Sequence, residues 1–322
     1  MITFTILASQ QMTVQDYFDL YRVQTPGCIG IWDNKLKFVV NKDEADFYVG
    51  LDHIPDPALF DPDRTIVLGR EPKSVSWLYC DLSQARVKYP LHYDLGNCYH
   101  TARWWVQRTY DYLMGCGLSM CLKSGNLGAV LSFHLNRFPG HAHRVEIARR
   151  LLKDFDFDLY GKLCKTIFPV DNPMGRLMGA VNDKFDALSS YKYAFCSDNS
   201  SYPGFFGDTL VDAYLSWCLP IYWGCPNLGD YFPEDSFVNI TGMSIDDAIM
   251  LIRETVERPP TLTQLDAIRH ARDLVLNKYN LWPTLLEVIE TGKVTWGPDL
   301  NPKIPHRPDK CFLFHSNLRW YT

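Results

Sequence analysis

The sequence predicts an α/β protein built from two doubly wound, mostly parallel sheets. Short β-like runs alternate with helical stretches, the pattern that parallel strands joined by crossover helices impose. The alternation falls into two series, separated between Gly115 and Leu127. The length of 322 residues exceeds one small core and suits two domains of ordinary size. With 47% hydrophobic and 21% charged residues, the chain has enough apolar surface for both cores and is not disordered.

In the first series ITFTIL, CIGIWD, KFVV, DFYVGL and RTIVLG read as strands, punctuated by Asp and Pro clusters such as Pro55 to Asp63. VQDYFDLYRV reads as a helix, and His100 to Leu118 has helical periodicity. The second series runs LGAVLSFHLN (strand), HRVEIARRLLKDF (amphipathic helix), DFDLYGK (strand), YKYAFCSD (strand), GDTLVDAYLSWC (helix), LPIYWG (strand) and FVNI (strand). SIDDAIMLIRETV follows as a helix with Ser244 as N-cap and two acids in its first turn. TLTQLDAIRHARDLVLNKYNLWPTLLEVIE continues helical, interrupted near Pro283. Two Rossmann-like domains facing a cleft are expected, at 1–122 and 123–296. A Pro-rich, then aromatic tail at 297–322 is expected to pack back on the first.

Lys and Arg total 32 against 37 Asp and Glu, a net charge of −5, which speaks against strong nonspecific nucleic-acid binding. The ten cysteines form no CxxC pair and no His/Cys cluster with zinc spacing, which suggests a reducing compartment. The start lacks a basic n-region, and nothing reaches the roughly 18 apolar residues of a membrane span. A cytoplasmic protein is therefore expected, and the glycosylation-type triplets at Asn199 and Asn239 read as chance matches. The acids of DFDFD (154–158) alternate with Phe and read as strand, so no obligatory metal is expected.

The densest candidate chemistry is DNSSYPGFFGDT, from Asp198 to Thr209, between a strand and a helix. Ligands of open α/β sheets bind beyond the carboxyl ends of strands, and a helix N-terminus there offers backbone N–H groups to phosphate. Gly204 and Gly207 permit close backbone approach, and Asp208 and Thr209 suit the first turn of the helix. The same pattern also describes an ordinary capped βα loop. Arg144, just after a strand and loop, carries a guanidinium suited to bidentate phosphate contact, whereas Arg149 and Arg150 read as a solvated helix face.

YKYAFCSDNSSYPGFFGDTLVDAYLSWCLPIYWG resembles the donor-site region of the α-1,3-fucosyltransferase family. The matches are Tyr191-Lys192-Tyr193, Asn199, Asp212-Ala213-Tyr214, Pro220 to Gly224, and Phe232 with Phe237-Val238-Asn239. Upstream, NRFPGHAHRVEIARRL resembles the segment whose Arg meets the donor phosphates, which places that role on Arg144. DFDLYGK resembles a strand end of the family, at Asp158, Tyr160, Gly161 and Lys162. VLGREPKSV lies where the family has a carboxylate base, and the matching residue is Glu71, with Asp94 as its rival on the acceptor side.

The resemblance implies a GT-B fold and inverting transfer of fucose, or a related sugar or pentose, from a nucleoside-diphosphate sugar to an acceptor hydroxyl, normally on a glycan. Inversion needs a base on the acceptor hydroxyl and fixed positive groups on the leaving diphosphate. The chain departs from the family at the donor loop. Asp198-Asn199 stands where the family has Glu-Asn. Phe205 to Thr209 stands where the family has Tyr-x-Thr-Glu-Lys, so the acid persists as Asp208 and the Lys becomes Thr209. Losing that cation forfeits a charge-assisted contact, for which Arg144, Lys184 and Lys192 are the substitutes in the sequence.

Catalytic roles are thus expected for Glu71 and Asp208. Donor contacts are expected from Arg144, Lys184, Lys192, Asp198, Asn199, Phe205, Gly207 and Thr209. The setting would be a bacterial or virus-infected cell. One alternative is a viral enzyme that glycosylates hydroxymethylated DNA bases from another donor, such as a UDP-pentose, with Trp104 and Trp105 of HTARWWVQR stacking a flipped base. The other is a degenerate chain that binds nucleotide or glycan without turnover.

Overall fold

The computed structural model describes residues 1–9, 12–51, 61, 64–68, 105–132, 138–162, 164–168 and 174–291. The first unit comprises β1 (Ile2–Ile6), α1 (Val14–Arg22), β2 (Ile31–Trp32), β3 (Leu36–Phe38), β4 (Phe47–Leu51) and β5 (Thr65–Leu68). Among the described residues these strands form one sheet of order β2-β3-β1-β4-β5, parallel except for the β2–β3 pair. Thr13 caps α1 reciprocally with Asp16, satisfying two helix-end donors at once.

The second unit comprises α2 (Tyr110–Gly115), β6 (Gly125–Val130), α3 (Pro139–Asp154), β7 (Phe157–Tyr160), α4 (Cys164–Ile167), β8 (Arg176–Gly179), α5 (Lys184–Leu188), β9 (Tyr191–Ser197), α6 (Asp208–Leu215), β10 (Leu219–Trp223), β11 (Val238–Asn239), α7 (Ile245–Val256) and α8 (Leu262–Leu274). Its strands lie in the order β11-β10-β9-β6-β7-β8, every pair parallel. Burial on both faces explains why YKYAFCS and LPIYW read as predominantly apolar runs.

A π-turn at Val275–Tyr279 leads into α9 (Leu281–Thr291). The break in the helix lies at Asn280 rather than at Pro283. Asn280 Oδ1 accepts the Trp282 N–H at 2.9 Å, and Pro283 sits in the first turn of α9, where no N–H is needed.

The two cores divide the chain differently from the expected borders at 122 and 296. Val106, Leu113, Cys116 and Cys121 bury in the core of the second sheet. Leu281, Trp282, Leu285, Leu286 and Val288 of α9 bury in the core of the first, against Phe4, Phe38 and Tyr21. Trp282 is fully buried, meets Phe4 edge to face at 5.2 Å, and donates its indole N–H to Tyr21 O at 3.0 Å. The expected tail at 297–322 lies outside the described residues.

Some sequence expectations are corrected in detail. His100 to Leu118 is not one helix: residues 105–109 are non-helical, α2 ends at Gly115, and a separate 3₁₀ turn begins at Leu118. The backbone N–H groups of Trp105 and Gln107 bond to side chains of the second unit instead of closing a helical turn. CIGIWD contributes only the two residues of β2, and Cys28 lies in a 3₁₀ turn. The short β8 and α5 have no counterpart in the sequence reading.

Part of the family-like motif is structural. Tyr191 starts β9, and its ring lies across β6, where a Cβ on Gly125 or Gly128 would come within 2.5 Å or 2.8 Å of it. Its hydroxyl thereby reaches Asp158 on β7, which Arg176 Nη2 also contacts at 2.7 Å. Tyr191→Phe should remove one donor from a carboxylate that is 4% exposed. The expected loss is about 1–3 kcal/mol, read as a lower denaturant midpoint.

Candidate functional site

The order of the second sheet reverses between β6 and β9. From β6 the chain winds outward through β7 and β8, then returns to β9 on the other side. Crevices at such switch points are where α/β sheets take ligands. The polar residues converge there.

Asp198 follows β9 directly and is 4% exposed. Its backbone N–H donates to Trp223 O at 3.0 Å, tying the ends of β9 and β10 together. Both carboxylate oxygens accept the Gly207 N–H at 3.1 Å, and Oδ2 also accepts from the Tyr222 hydroxyl. That hydroxyl accepts the Cys225 N–H at 2.8 Å. Burial pushes the Asp198 carboxyl up to about 7, against the opposing effects of Tyr222, the Gly207 N–H and the Arg144 charge.

Arg144 lies in α3, 6% exposed, and donates from Nη1 to Ser132 O at 3.0 Å, just past β6. The start of α3 is pinned to the loop after β9, because the Gly140 N–H donates to Asn199 O at 3.1 Å. His143, one residue before Arg144, stacks on Trp223 with ring centroids 4.5 Å apart, and burial lowers its pKa to about 4. It is therefore neutral at pH 7. His141 is buried against Phe138.

The third group stands at the N-terminus of α6. Gly207 is its N-cap and Asp208 its first residue. Lys184, from α5, donates to Asp208 Oδ2 and to Asp212 Oδ2, each at 2.7 Å. Burial opposes the Lys184 charge, but the two carboxylates outweigh it and hold its pKa above the ordinary lysine value. One cation thus faces two carboxylates, so this cluster supplies no surplus positive charge. Asp208, its side chain 37% exposed, is the member open to solvent.

The expected site residues separate accordingly. Arg144, Asp198, Asn199, Gly207 and Asp208 come together around the ends of β6 and β9 and the starts of α3 and α6. Lys184 joins them as an internal partner of Asp208. Thr209 is half-buried, with an Oγ that makes no hydrogen bond. Phe205 is 4% exposed, so its ring belongs to the interior rather than to a ligand face. Lys192 is the second residue of β9, at the end opposite Asp198. At about 3.3 Å per residue the separation is roughly 20 Å, so the strand does not bring Lys192 to the cluster. Trp105 is 39% exposed, and its backbone N–H donates to Asp212 Oδ1 at 2.7 Å. Glu71, Asp94 and Trp104 lie outside the described residues.

Sequence reasoning did not assign Tyr222 or Asp212 a role in the site. The signal for Asp212 was present: a carboxylate inside the apolar run LVDAYL must find a buried partner.

The fold and the convergence at the switch point define an α/β protein of GT-B type. Across 90% of this chain and 97% of the other, it overlays the crystal structure of a glycosyltransferase from Rickettsia africae ESF-5 with a TM-score of 0.52 and 12% identity. A stretch of 74 residues is 38% identical to α-(1,3)-fucosyltransferase FucT of Helicobacter pylori, covering 23% of this chain. The chain matches only 16% of the length of that relative. A crystal structure of an α1,3-fucosyltransferase with GDP-fucose aligns over 87% of this chain and 92% of its own, at a TM-score of 0.42 and 16% identity. No family model matches the chain. A fucosyltransferase-like resemblance is also found by direct comparison, over that stretch of 74 residues. Among the described residues no helix is long and apolar enough to cross a membrane.

Proposed function

We propose that the chain is a glycosyltransferase that takes a nucleoside-diphosphate sugar at the β6/β9 switch point and transfers the sugar, with inversion, to an acceptor hydroxyl on a glycan. The observation that carries this reading is the buried Arg144 beside Asp198, at strand ends where two helix N-termini converge. In this reading the Arg144 guanidinium answers the diphosphate charge, and the exposed oxygen of Asp208 meets sugar hydroxyls. Helix N-termini add partial positive charge without a further cation. Glu71 supplies the base that takes the acceptor proton as the oxygen attacks C1. The reading includes no obligatory divalent metal, so turnover should persist in chelator.

Support comes from the 38% identity over 74 residues to a fucosyltransferase and from the fold shared with a glycosyltransferase. The first experiment is a thermal-shift panel of GDP, UDP, GDP-fucose, UDP-pentoses and UDP-hexoses, since a ligand of the folded state raises apparent stability. Stabilisation by guanine nucleotides alone favours a fucosyl-type donor and glycan acceptors. Stabilisation by uridine nucleotides assigns the altered loop at Asp208-Thr209 to a new donor and makes modified DNA the first acceptor to assay. Binding without turnover returns the degenerate reading, and no shift with any ligand overturns the proposal. Arg144→Lys, which keeps the charge but loses the planar fork, is expected to weaken nucleotide binding about 10-fold by calorimetry.

A further inference from the structure

Asp212 is 1% exposed and lies one helical turn beyond Asp208 on α6. Leu210, Val211, Ala213, Tyr214 and Leu215 around it in the helix are all fully buried. A carboxylate in such surroundings is costly unless each oxygen has a partner. Its oxygens are divided between two different parts of the chain. Oδ2 accepts from Lys184 Nζ at 2.7 Å, and Oδ1 accepts the Trp105 backbone N–H at 2.7 Å.

The second attachment of the same segment lies next to Lys184. Asp183 caps α5 through the Phe185 N–H, and the same Oδ1 accepts the Gln107 N–H at 2.8 Å. Gln107 Nε2 donates to Asn182 O at 2.8 Å, and Arg108 pairs with Asp183 and Asp186. Residues 105–108 therefore run along the start of α5 and end on α6. The closed set of contacts is Trp105 to Asp212, Asp212 to Lys184, and the neighbouring Asp183 back to Gln107 and Arg108. Asp212 is the point where this segment meets the Lys184–Asp208 pair.

We infer that Asp212 is a positioning residue: it fixes the Trp105 end of the 105–108 segment and the Lys184 ammonium on one turn of α6, so that the segment and Asp208 move as a unit. For catalysis this rests on the donor-site reading above. The consequence there is that the chain leading from the first sheet is held in register with the sugar-facing carboxylate.

Asp212 is faced by Lys184 from α5, by Asp208 from its own helix α6 and by the Cys196 thiol from β9. Burial raises the Asp212 carboxyl above its ordinary value, while Lys184 opposes the rise. Opening that exposes Asp212 returns its carboxyl to the ordinary value, so the closed arrangement gains stability as the pH falls below neutrality.

The test compares wild type with Asp212→Asn by backbone amide exchange at Trp105 and by steady-state turnover of GDP-fucose and a UDP-hexose. The expected result is a folded variant whose Trp105 amide exchanges at least 10-fold faster, with kcat at least 10-fold lower and GDP or UDP affinity changed less than about threefold. A merely structural role would lower the melting temperature and leave kcat per folded molecule unchanged. Unchanged exchange at Trp105 overturns the inference. If the variant does not fold, the wild-type protein decides: opening that frees Trp105 exposes Asp212, so protection at Trp105, corrected for intrinsic exchange, should rise as pH falls from about 8 to about 5. Protection that does not change with pH overturns it. If wild type neither binds nor turns over any nucleotide sugar, the donor-site reading fails while the exchange result still decides the role of Asp212.

Discussion

Gly140→Ala is expected to separate α3 from the loop after β9 and to abolish the candidate site without unfolding the first sheet. A Cβ at this position would lie 2.3 Å from Asp198 O and 2.5 Å from Asn199 C. Both are backbone atoms, fixed by the hydrogen bonds that close the end of β9, so neither can turn aside as a flexible side chain would. The helix must shift instead, which strains the 3.1 Å bond from the Gly140 N–H to Asn199 O and moves Arg144 away from Asp198. Overpacking of a close-packed interior costs about 1–3 kcal/mol and occasionally more, and a backbone-to-backbone collision belongs at the upper end. The measurements are the thermal midpoint and nucleotide affinity. Gly115→Ala is the control, because a Cβ there meets nothing within 4 Å. A Gly140→Ala protein with wild-type stability and affinity would mean that the helix start is not held against the loop.

Asp198 should make stability fall as pH rises from about 5 to about 8, opposite in sign to ordinary acid denaturation, and its share is the difference between the wild-type and Asp198→Asn profiles. Its pKa is raised from 3.8 to about 7 by burial in the folded chain. Between those values the folded state holds a proton that the unfolded state releases. The stabilisation is therefore complete below the unfolded pKa and is lost as pH rises through the folded one. About three units at roughly 1.36 kcal/mol each amount to about 4 kcal/mol in all, of which roughly two units, about 3 kcal/mol, lie above about pH 5. Asp212, also raised, acts in the same direction. Asp16 and Asp46, whose carboxyls are lowered by hydrogen bonds from Thr13 and Thr3, act oppositely only at more acid pH, whereas His143, lowered by burial from 6.5 to about 4, opposes Asp198 between those two values. Urea midpoints across this range should show the decline. In Asp198→Asn it should flatten, since the amide keeps an acceptor for Gly207 and does not titrate. Wild-type and Asp198→Asn profiles of the same slope would show that the carboxyl ionises at its ordinary value.

Much of the second unit was legible in the sequence because its information is local. The runs that became β7, β9 and β10 are predominantly apolar, since most of their residues are buried on both faces of the sheet. The loop from Asp198 to Thr209 stood out because polar residues and glycine interrupt two such runs, and Asp198, Asn199, Gly207 and Asp208 do gather at one strand edge. The short β8 and α5 have too few residues for a period to register. The helical pattern across 100–118 misled because residues 105–108 take their backbone partners from the second unit, which no periodicity records.

By itself the sequence determined the α/β class and the order of the strands around the donor-loop motif, because both follow from apolar spacing and from residues adjacent in the chain. Only the tertiary structure decided that α9 completes the first core through Trp282, that Lys184 is committed to Asp208 and Asp212, that Lys192 faces away along β9 from the site, and that Asp198 carries its proton near neutrality. These depend on groups many residues apart meeting at one point, where a side chain's charge is set by burial and by what it touches rather than by its place in the chain.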